Sequence, residues 1–419
     1  MTAIMTGLFA ILLTLSVPVG YGLIISSGAA ILWYGGTPTV LAVVKLFQPT
    51  QSFPLLAIPF FILSGSLMMS GTLGSKLVQF AAALVGRYHG GMGQVTVVGS
   101  TIFGGVSGSA VAEASALGSM LIPWQKREGY PAGFAAAVTA SSSTIAGLIP
   151  PSIPLILYST VSNASIASLF SAGILPGLLL TFGMMLVCYF SGRLRNFPRL
   201  EKKNLLGTLG QNFVGALPAL LMPFFIVVLL RAGIATPTEV SVIAVFYALV
   251  VSTLFYRDLT VARVVHALVN TVITTGVVML VITASSLVGH VLISERIPTL
   301  VAQWAQEVLV NPILIIIMMN IIMLVIGMFL DLPAAILLLG PTFVAIGQSI
   351  GMDPIQLGVM ICINLSIGLF TPPIGTTLFI GAAIARVPIG AVVKELWPFY
   401  LVAFTVLMLI SYVPAMTIY

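Results

Sequence analysis

LIPPSIP at residues 148–154 and FTPPIGT at residues 370–376 each place a pair of prolines inside an apolar run, 222 residues apart. Proline lacks an amide donor and clashes with the carbonyl four residues back, so a proline pair breaks a helix. Inside a bilayer such a break leaves polar backbone groups unpaired, at a cost of several kcal/mol each unless a polar cavity receives them. The flanking sequence repeats too. Pro18 in SVPVG corresponds to Pro237 in ATPTE, Gly129-Tyr130-Pro131 to Met352-Asp353-Pro354, and Pro176 in LPGLL to Pro398 in WPFYL. Four matches in order, at nearly constant offset, make the chain two copies of one unit.

Composition sets the solvent. Of 419 residues, 59% are hydrophobic and only 6% charged, against about 25% charged in a soluble domain. Too few polar groups exist to cover a water-facing surface, so lipid must face much of it. The net charge of +6 does not indicate nucleic acid, because the charges lie in loops between apolar segments, where they set topology. Cys188 and Cys362 are far apart in apolar runs, which predicts buried side chains and no transition-metal site. The first segment has no basic start and no small-residue cleavage site, so Met1 is read as the start of the working protein.

The expected fold is an all-α polytopic membrane protein with two inverted-topology repeats, about ten spans and two re-entrant hairpins. Residues 1–192 form the first repeat and 213–419 the second. Residues 193–212 form a basic cytoplasmic linker, densest in RLRNFPRLEKKN (193–204). Spans are expected at 3–16, 18–34, 53–70, 131–161 and 169–192, then at 213–230, 238–256, 268–293, 354–385 and 396–416. Apolar stretches 94–123 and 313–346 are interrupted in their middles and read as hairpins; interrupted segments at matching positions in two halves point to a transporter binding site. With that topology, thirteen of the 16 Lys and Arg residues fall on one side, and only Lys45, Arg231 and Arg296 on the other. The positive-inside bias then puts both termini outside. Residues 36–50 and 257–267 read as interfacial arm helices.

Four interruptions carry the candidate chemistry. They are the first hairpin tip with Ser107, Gly108 and Ser109, the first break with Gly147, Pro150, Pro151 and Ser152, the second tip with Asp331, and the second break with Thr371, Pro372 and Gly375. Freed carbonyls and hydroxyls are hard oxygen ligands suited to Na⁺, whereas freed N–H groups at a positive helix end suit a carboxylate. Ser143, Asn364, Thr376 and Thr377 flank the breaks and are expected to line the substrate cavity with Pro151 and Ser152. Ser and Thr also bond their own helix carbonyls, which is an equal alternative for each. Glu113 and Asp331 are acidic residues at membrane depth, functional by default. Glu239 in TPTE (236–239) reads as a helix cap instead.

AIPFFILSGSLMMSGTL (57–73), SGSAVAEASALGSMLIP (107–123), IPPSIPLILYS (149–159), LFSAGILPGLL (169–179), TPTEVSVIAVFYAL (236–249), GMFLDLPAAILLLGP (327–341) and SIGLFTPPIGTTLF (366–379) together resemble the large membrane subunit of tripartite ATP-independent periplasmic (TRAP) transporters. The resemblance implies a Na⁺-coupled importer of organic acids, with a scaffold and a moving unit working by an elevator motion. It also implies two partners, a small four-span membrane subunit and a periplasmic substrate-binding protein, and a place in the bacterial inner membrane. Position 113 carries Glu where the family often has Asp or Thr. Two rivals are weighed against it. One is a stand-alone inverted-repeat anion carrier. The other is a rhomboid-like intramembrane protease using Gly105-Val106-Ser107-Gly108 and His290, which would need the base within hydrogen-bond reach of the nucleophile.

Overall fold

Hydrocarbon offers backbone amides no partner, so a spanning chain must satisfy them within its own segments. The computed structural model describes residues 1–15, 17–34, 39–69, 71–200, 209–309 and 311–417, and these form helices joined by turns and loops, with no strand among them. Residues 201–208, with Lys202 and Lys203 of the expected linker, lie outside the described residues, as do 35–38 of the first arm.

The first half runs α1 (Thr2–Thr14), α2 (Val19–Tyr34), α3 (Thr39–Phe47), α4 (Ala57–Met69), α5 (Leu73–Val85), α6 (Gly91–Ser107), α7 (Ala110–Arg127), α8 (Ala132–Ser142), α9 (Ile153–Ser162) and α10 (Ile166–Leu194). The second runs α11 (Leu209–Arg231), α12 (Pro237–Val250), α13 (Val261–Ser294), α14 (Ile297–Leu309), α15 (Pro312–Gly327), α16 (Leu332–Ser349), α17 (Pro354–Leu369), α18 (Thr376–Ala385) and α19 (Ile389–Tyr412). From α5 and α14 onward the two halves match element for element. Side-chain caps start many of these helices, as hydroxyl and Asx residues do. Ser109, Ser152 and Ser165 cap α7, α9 and α10, and Thr236 with Glu239 forms a reciprocal capping box on α12.

The equivalent helices α10 and α19 run antiparallel. Arg195, just past the end of α10, holds Glu395, near the start of α19, through two bonds of 2.5 and 2.9 Å. Midway along both helices, Gly183 packs on Val402. One unit is therefore inverted relative to the other. The same end carries Lys126, whose ammonium donates to Ala385 O at 2.9 Å, at the carbonyl end of α18. A cation at a helix C-terminus interacts favourably with its dipole. The N-terminal ammonium instead meets Glu295, whose carboxylate also accepts from Thr2. These donors hold the Glu295 carboxyl down to about 2.

Among the described residues, six helical segments are long and apolar enough to cross a membrane: α10, α11, Pro237–Phe255, α13, α16 and α19. A seventh candidate is a pair, 40–51 with 53–69, bent by 56°. Three details differ from the sequence reading. Helix α1 has 13 residues, a length of about 20 Å against a hydrocarbon core of about 30 Å. Residues 261–267 are not a separate arm but the first turns of the 34-residue α13, because Thr260 caps the helix ahead of them and nothing breaks it afterwards. Helices α5 and α14, between the third span of each half and its hairpin, were not anticipated.

Each hairpin is tied to its broken helix by a buried polar pair at the same position of the repeat. In the first half the Ser100 and Ser142 hydroxyls lie 2.9 Å apart. In the second, the Asn364 amide donates to Asn320 O and Oδ1 at 2.9 and 2.8 Å. Removing one partner of a buried hydrogen bond costs about 1–3 kcal/mol. Asn364→Leu, close in volume, is therefore expected to lower the detergent melting temperature by a few degrees. An unchanged melting temperature would show that the bridge contributes nothing to stability.

Candidate functional site

The tips and breaks meet. At the first tip Gly108 adopts a left-handed conformation with φ +60°, and its carbonyl accepts from Ile153 N, the first residue of α9, at 3.4 Å. A Cβ at Gly108 would fall on the Pro151 carbonyl. Ser107 and Ser109 flank this contact, the Ser109 amide reaching the Ser107 hydroxyl at 3.5 Å. The positive ends of α7 and α9 thus converge on the tip, while the carbonyl end of α6 packs where α8 gives out. A Cβ at Gly104 would lie 2.8 Å from Ala146 Cα. The second unit repeats this, with Gly327 at the end of α15 against Gly368 near the end of α17. Both proline pairs, Pro150–Pro151 and Pro372–Pro373, contain a cis peptide.

Equivalent carbonyls at the two breaks are capped the same way. Gly147 O accepts from the Ser152 hydroxyl at 2.6 Å. Leu369 O, 222 residues on, accepts from the Thr377 hydroxyl at 2.9 Å. In each case a hydroxyl from the start of the second half-helix reaches back to the last carbonyls of the first, which ties the two halves across the break. A carbonyl oxygen has two lone pairs, and the second remains for an ion or substrate group.

The breaks also touch across the repeats. The Thr377 hydroxyl reaches Ala140 O on α8 at 3.0 Å. A Cβ at Gly147 would lie 3.0 Å from Ser366 Oγ on α17. Gly375 sits where a Cβ would meet Leu369 O at 2.6 Å and the Thr371 N and O at 2.9 Å, so only glycine closes that turn. The structure therefore gathers Gly147, Pro150, Pro151, Ser152, Thr371, Pro372, Gly375 and Thr377 around two facing breaks, with Ser107–Ser109 at the first.

Not every expected hydroxyl at the breaks is free. Ser143 donates to Ala140 O at 3.1 Å, the carbonyl Thr377 also uses, and Thr371 donates to Ile367 O at 2.6 Å. Asn364 spends its amide on Asn320. Asp331 is exposed at the second tip and makes no capping bond to α16. The open polar atoms are Ser366 Oγ, Thr376 Oγ1 and Asn364 Oδ1, all buried without a partner. Glu113 is fully buried on α7, and neither carboxylate oxygen has a partner. Tyr400 was not foreseen: its hydroxyl donates to Phe370 O at 2.8 Å and its ring stacks on Phe370 at 5.2 Å. No local motif marks it, since a helix residue 30 positions downstream finds the break only in three dimensions.

His290 does not meet Ser107. It lines a crevice with Lys45 and Ser286, and its Nε2 has no partner. The Ser–His pair that a protease requires is absent from the described residues.

The description "Tripartite ATP-independent periplasmic transporter, DctM component" matches residues 6–416. An uncharacterised protein of Sinorhizobium fredii, y4mL, is 50% identical over the full length of both chains. The C4-dicarboxylate TRAP transporter large permease protein DctM of Pseudomonas aeruginosa is 34% identical, over 94% of this chain and 92% of its own. Among solved structures, the YdaH transporter of Alcanivorax borkumensis aligns with a TM-score of 0.64 at 13% identity, covering 89% of this chain and 88% of its own, a likeness of fold alone. With the paired breaks, the inverted units and a match over nearly its whole length, the chain belongs to the DctM component family of tripartite ATP-independent periplasmic transporters, a family of transport permeases and not of enzymes.

Proposed function

We propose that this chain is the large permease of a sodium-coupled importer of an organic acid, and that ion and carboxylate bind between the hairpin tips and the two proline breaks. The observation that carries the reading is the duplicated cap, Ser152 on Gly147 O and Thr377 on Leu369 O. It presets carbonyl-bearing turns at matching positions of the two breaks, the first beside the positive ends of α7 and α9. Each turn suits a hard cation, and the N–H groups beside them suit the anion. A Pseudomonas relative named for C4-dicarboxylates supports the substrate class. The two hairpins and broken helices act as the moving unit of an elevator, α1–α4 and α11–α13 as its scaffold. A small four-span subunit and a periplasmic binding protein complete the transporter in the inner membrane, with both termini of this chain outside.

The test is uptake into proteoliposomes holding the chain with its small subunit, with the binding protein supplied outside, over a panel of C4-dicarboxylates and sugar acids. Replacing an inward Na⁺ gradient by K⁺ is expected to cut uptake at least tenfold, since each tenfold step corresponds to only about 1.4 kcal/mol of lost driving interaction. Equal uptake in K⁺ would overturn the coupling while leaving the permease assignment intact.

A further inference from the structure

Away from the breaks, a cavity of about 480 Å³ opens between the arm, α13, α9 and α16. Its walls include Lys45 and Gln48 from the arm, Ser285 and His290 from α13, Thr160 from α9 and Pro341 from α16. The Ser286 hydroxyl donates to Lys45 O at 2.9 Å, which pins the arm on α13. Two polar atoms in this wall are orphaned. Ser285, only 3% exposed, has no partner for its hydroxyl, and His290 Nε2 has none either. An unpaired buried polar group is unfavourable, and here two converge on one space.

The charge of the wall is one-sided. Lys45 makes one contact, to Gln48 Oε1 at 3.0 Å, which leaves ammonium protons free, and it is in none of the ion pairs among the described residues. Among the described residues, no carboxylate lines the cavity. An ammonium, hydroxyls, a carboxamide and an imidazole form a donor set for an oxyanion. The volume far exceeds one water, which takes about 30 Å³.

We propose that this crevice is a second binding site, separate from the proline breaks, for the oxyanion group of a small molecule or lipid headgroup, held by Lys45, Ser285 and His290. A carboxylate or phosphate there satisfies both orphaned atoms and neutralises Lys45. The proposal does not rest on sodium coupling, because the donors are all side chains outside the breaks.

The test uses the full-length chain in sodium-free potassium buffer, so that any Na⁺-dependent site stays unfilled. Potassium phosphate and potassium succinate are titrated against potassium chloride at equal ionic strength, with the melting temperature as readout. Saturable stabilisation is expected in wild type. Its half-point should rise about tenfold in Lys45→Gln, the usual scale for losing a charge-assisted bond. A smaller rise is expected in Ser285→Val, and none in Thr377→Val. A second arm compares phosphatidylcholine nanodiscs with and without phosphatidylglycerol. Lys45-dependent stabilisation by phosphatidylglycerol alone names a lipid headgroup as the source, and stabilisation by phosphate or succinate names a free anion. If none of the three probes stabilises the protein in a way that depends on Lys45 or Ser285, with both variants monodisperse, the crevice holds only water and the proposal fails.

Discussion

Gly108→Ala is expected to reduce uptake to below about one-hundredth of wild type while the chain still inserts and purifies. Two costs add at this position. A residue with a Cβ in the left-handed conformation loses about 1–2 kcal/mol relative to glycine. The new Cβ also falls on the Pro151 carbonyl, so tip and break must separate and the 3.4 Å bond from Ile153 N to Gly108 O is lost. A combined distortion of about 3 kcal/mol corresponds to roughly a hundredfold in rate. Gly375→Ala is its counterpart in the second unit, where the Cβ meets three backbone atoms at 2.6–2.9 Å, none able to swing aside as a side chain would. Uptake beside size-exclusion profiles checks both. A monodisperse Gly108→Ala protein transporting at half the wild-type rate would show that the tip need not touch the break during transport.

The second large effect is expected at Thr377. Its one hydroxyl proton has two acceptors within reach, Leu369 O at 2.9 Å and Ala140 O at 3.0 Å, where the two repeats meet at the break of the second helix. Valine keeps the shape and removes the donor, leaving the buried Leu369 carbonyl short of a partner at about 1–3 kcal/mol, whereas Ala140 O keeps the Ser143 hydroxyl. Thr377→Val is therefore expected to lose between about tenfold and a hundredfold in uptake, with a raised half-saturating Na⁺ concentration. Thr377→Ser, which retains the hydroxyl, should recover most of it. If Val and Ser behave alike, the residue acts by volume and the hydroxyl bridge is irrelevant.

Much of this protein was legible from residue order. The proline pairs break helices whatever surrounds them, because a missing N–H and a ring clash are local. The capping box at Thr236–Glu239 was readable for the same reason: both partners sit within one turn. The inverted repeat followed from proline offsets and charge sidedness, and the antiparallel α10–α19 pair agrees with it. Exposure to lipid followed from 6% charged residues.

Tertiary structure alone decided which polar groups at the breaks are spent and which are open. The hydroxyls of Ser143 and Thr371 were candidates as good as those of Thr377 and Ser152, yet the first two bond their own helices and the latter two cap the broken ends. Asn364 turned out to bind Asn320, 44 residues upstream, and Tyr400 to reach Phe370 from another helix. Glu113 and Asp331, alike as intramembrane acids in sequence, ended one fully buried and one exposed. A proline's effect is carried by its own ring and the turn before it, so sequence reports it. A hydroxyl has one proton and several acceptors within reach, and which it takes depends on the helix that packs beside it. The sequence therefore determined that two helices break and that the halves are inverted, and only packing decided which oxygens at those breaks are left for a ligand.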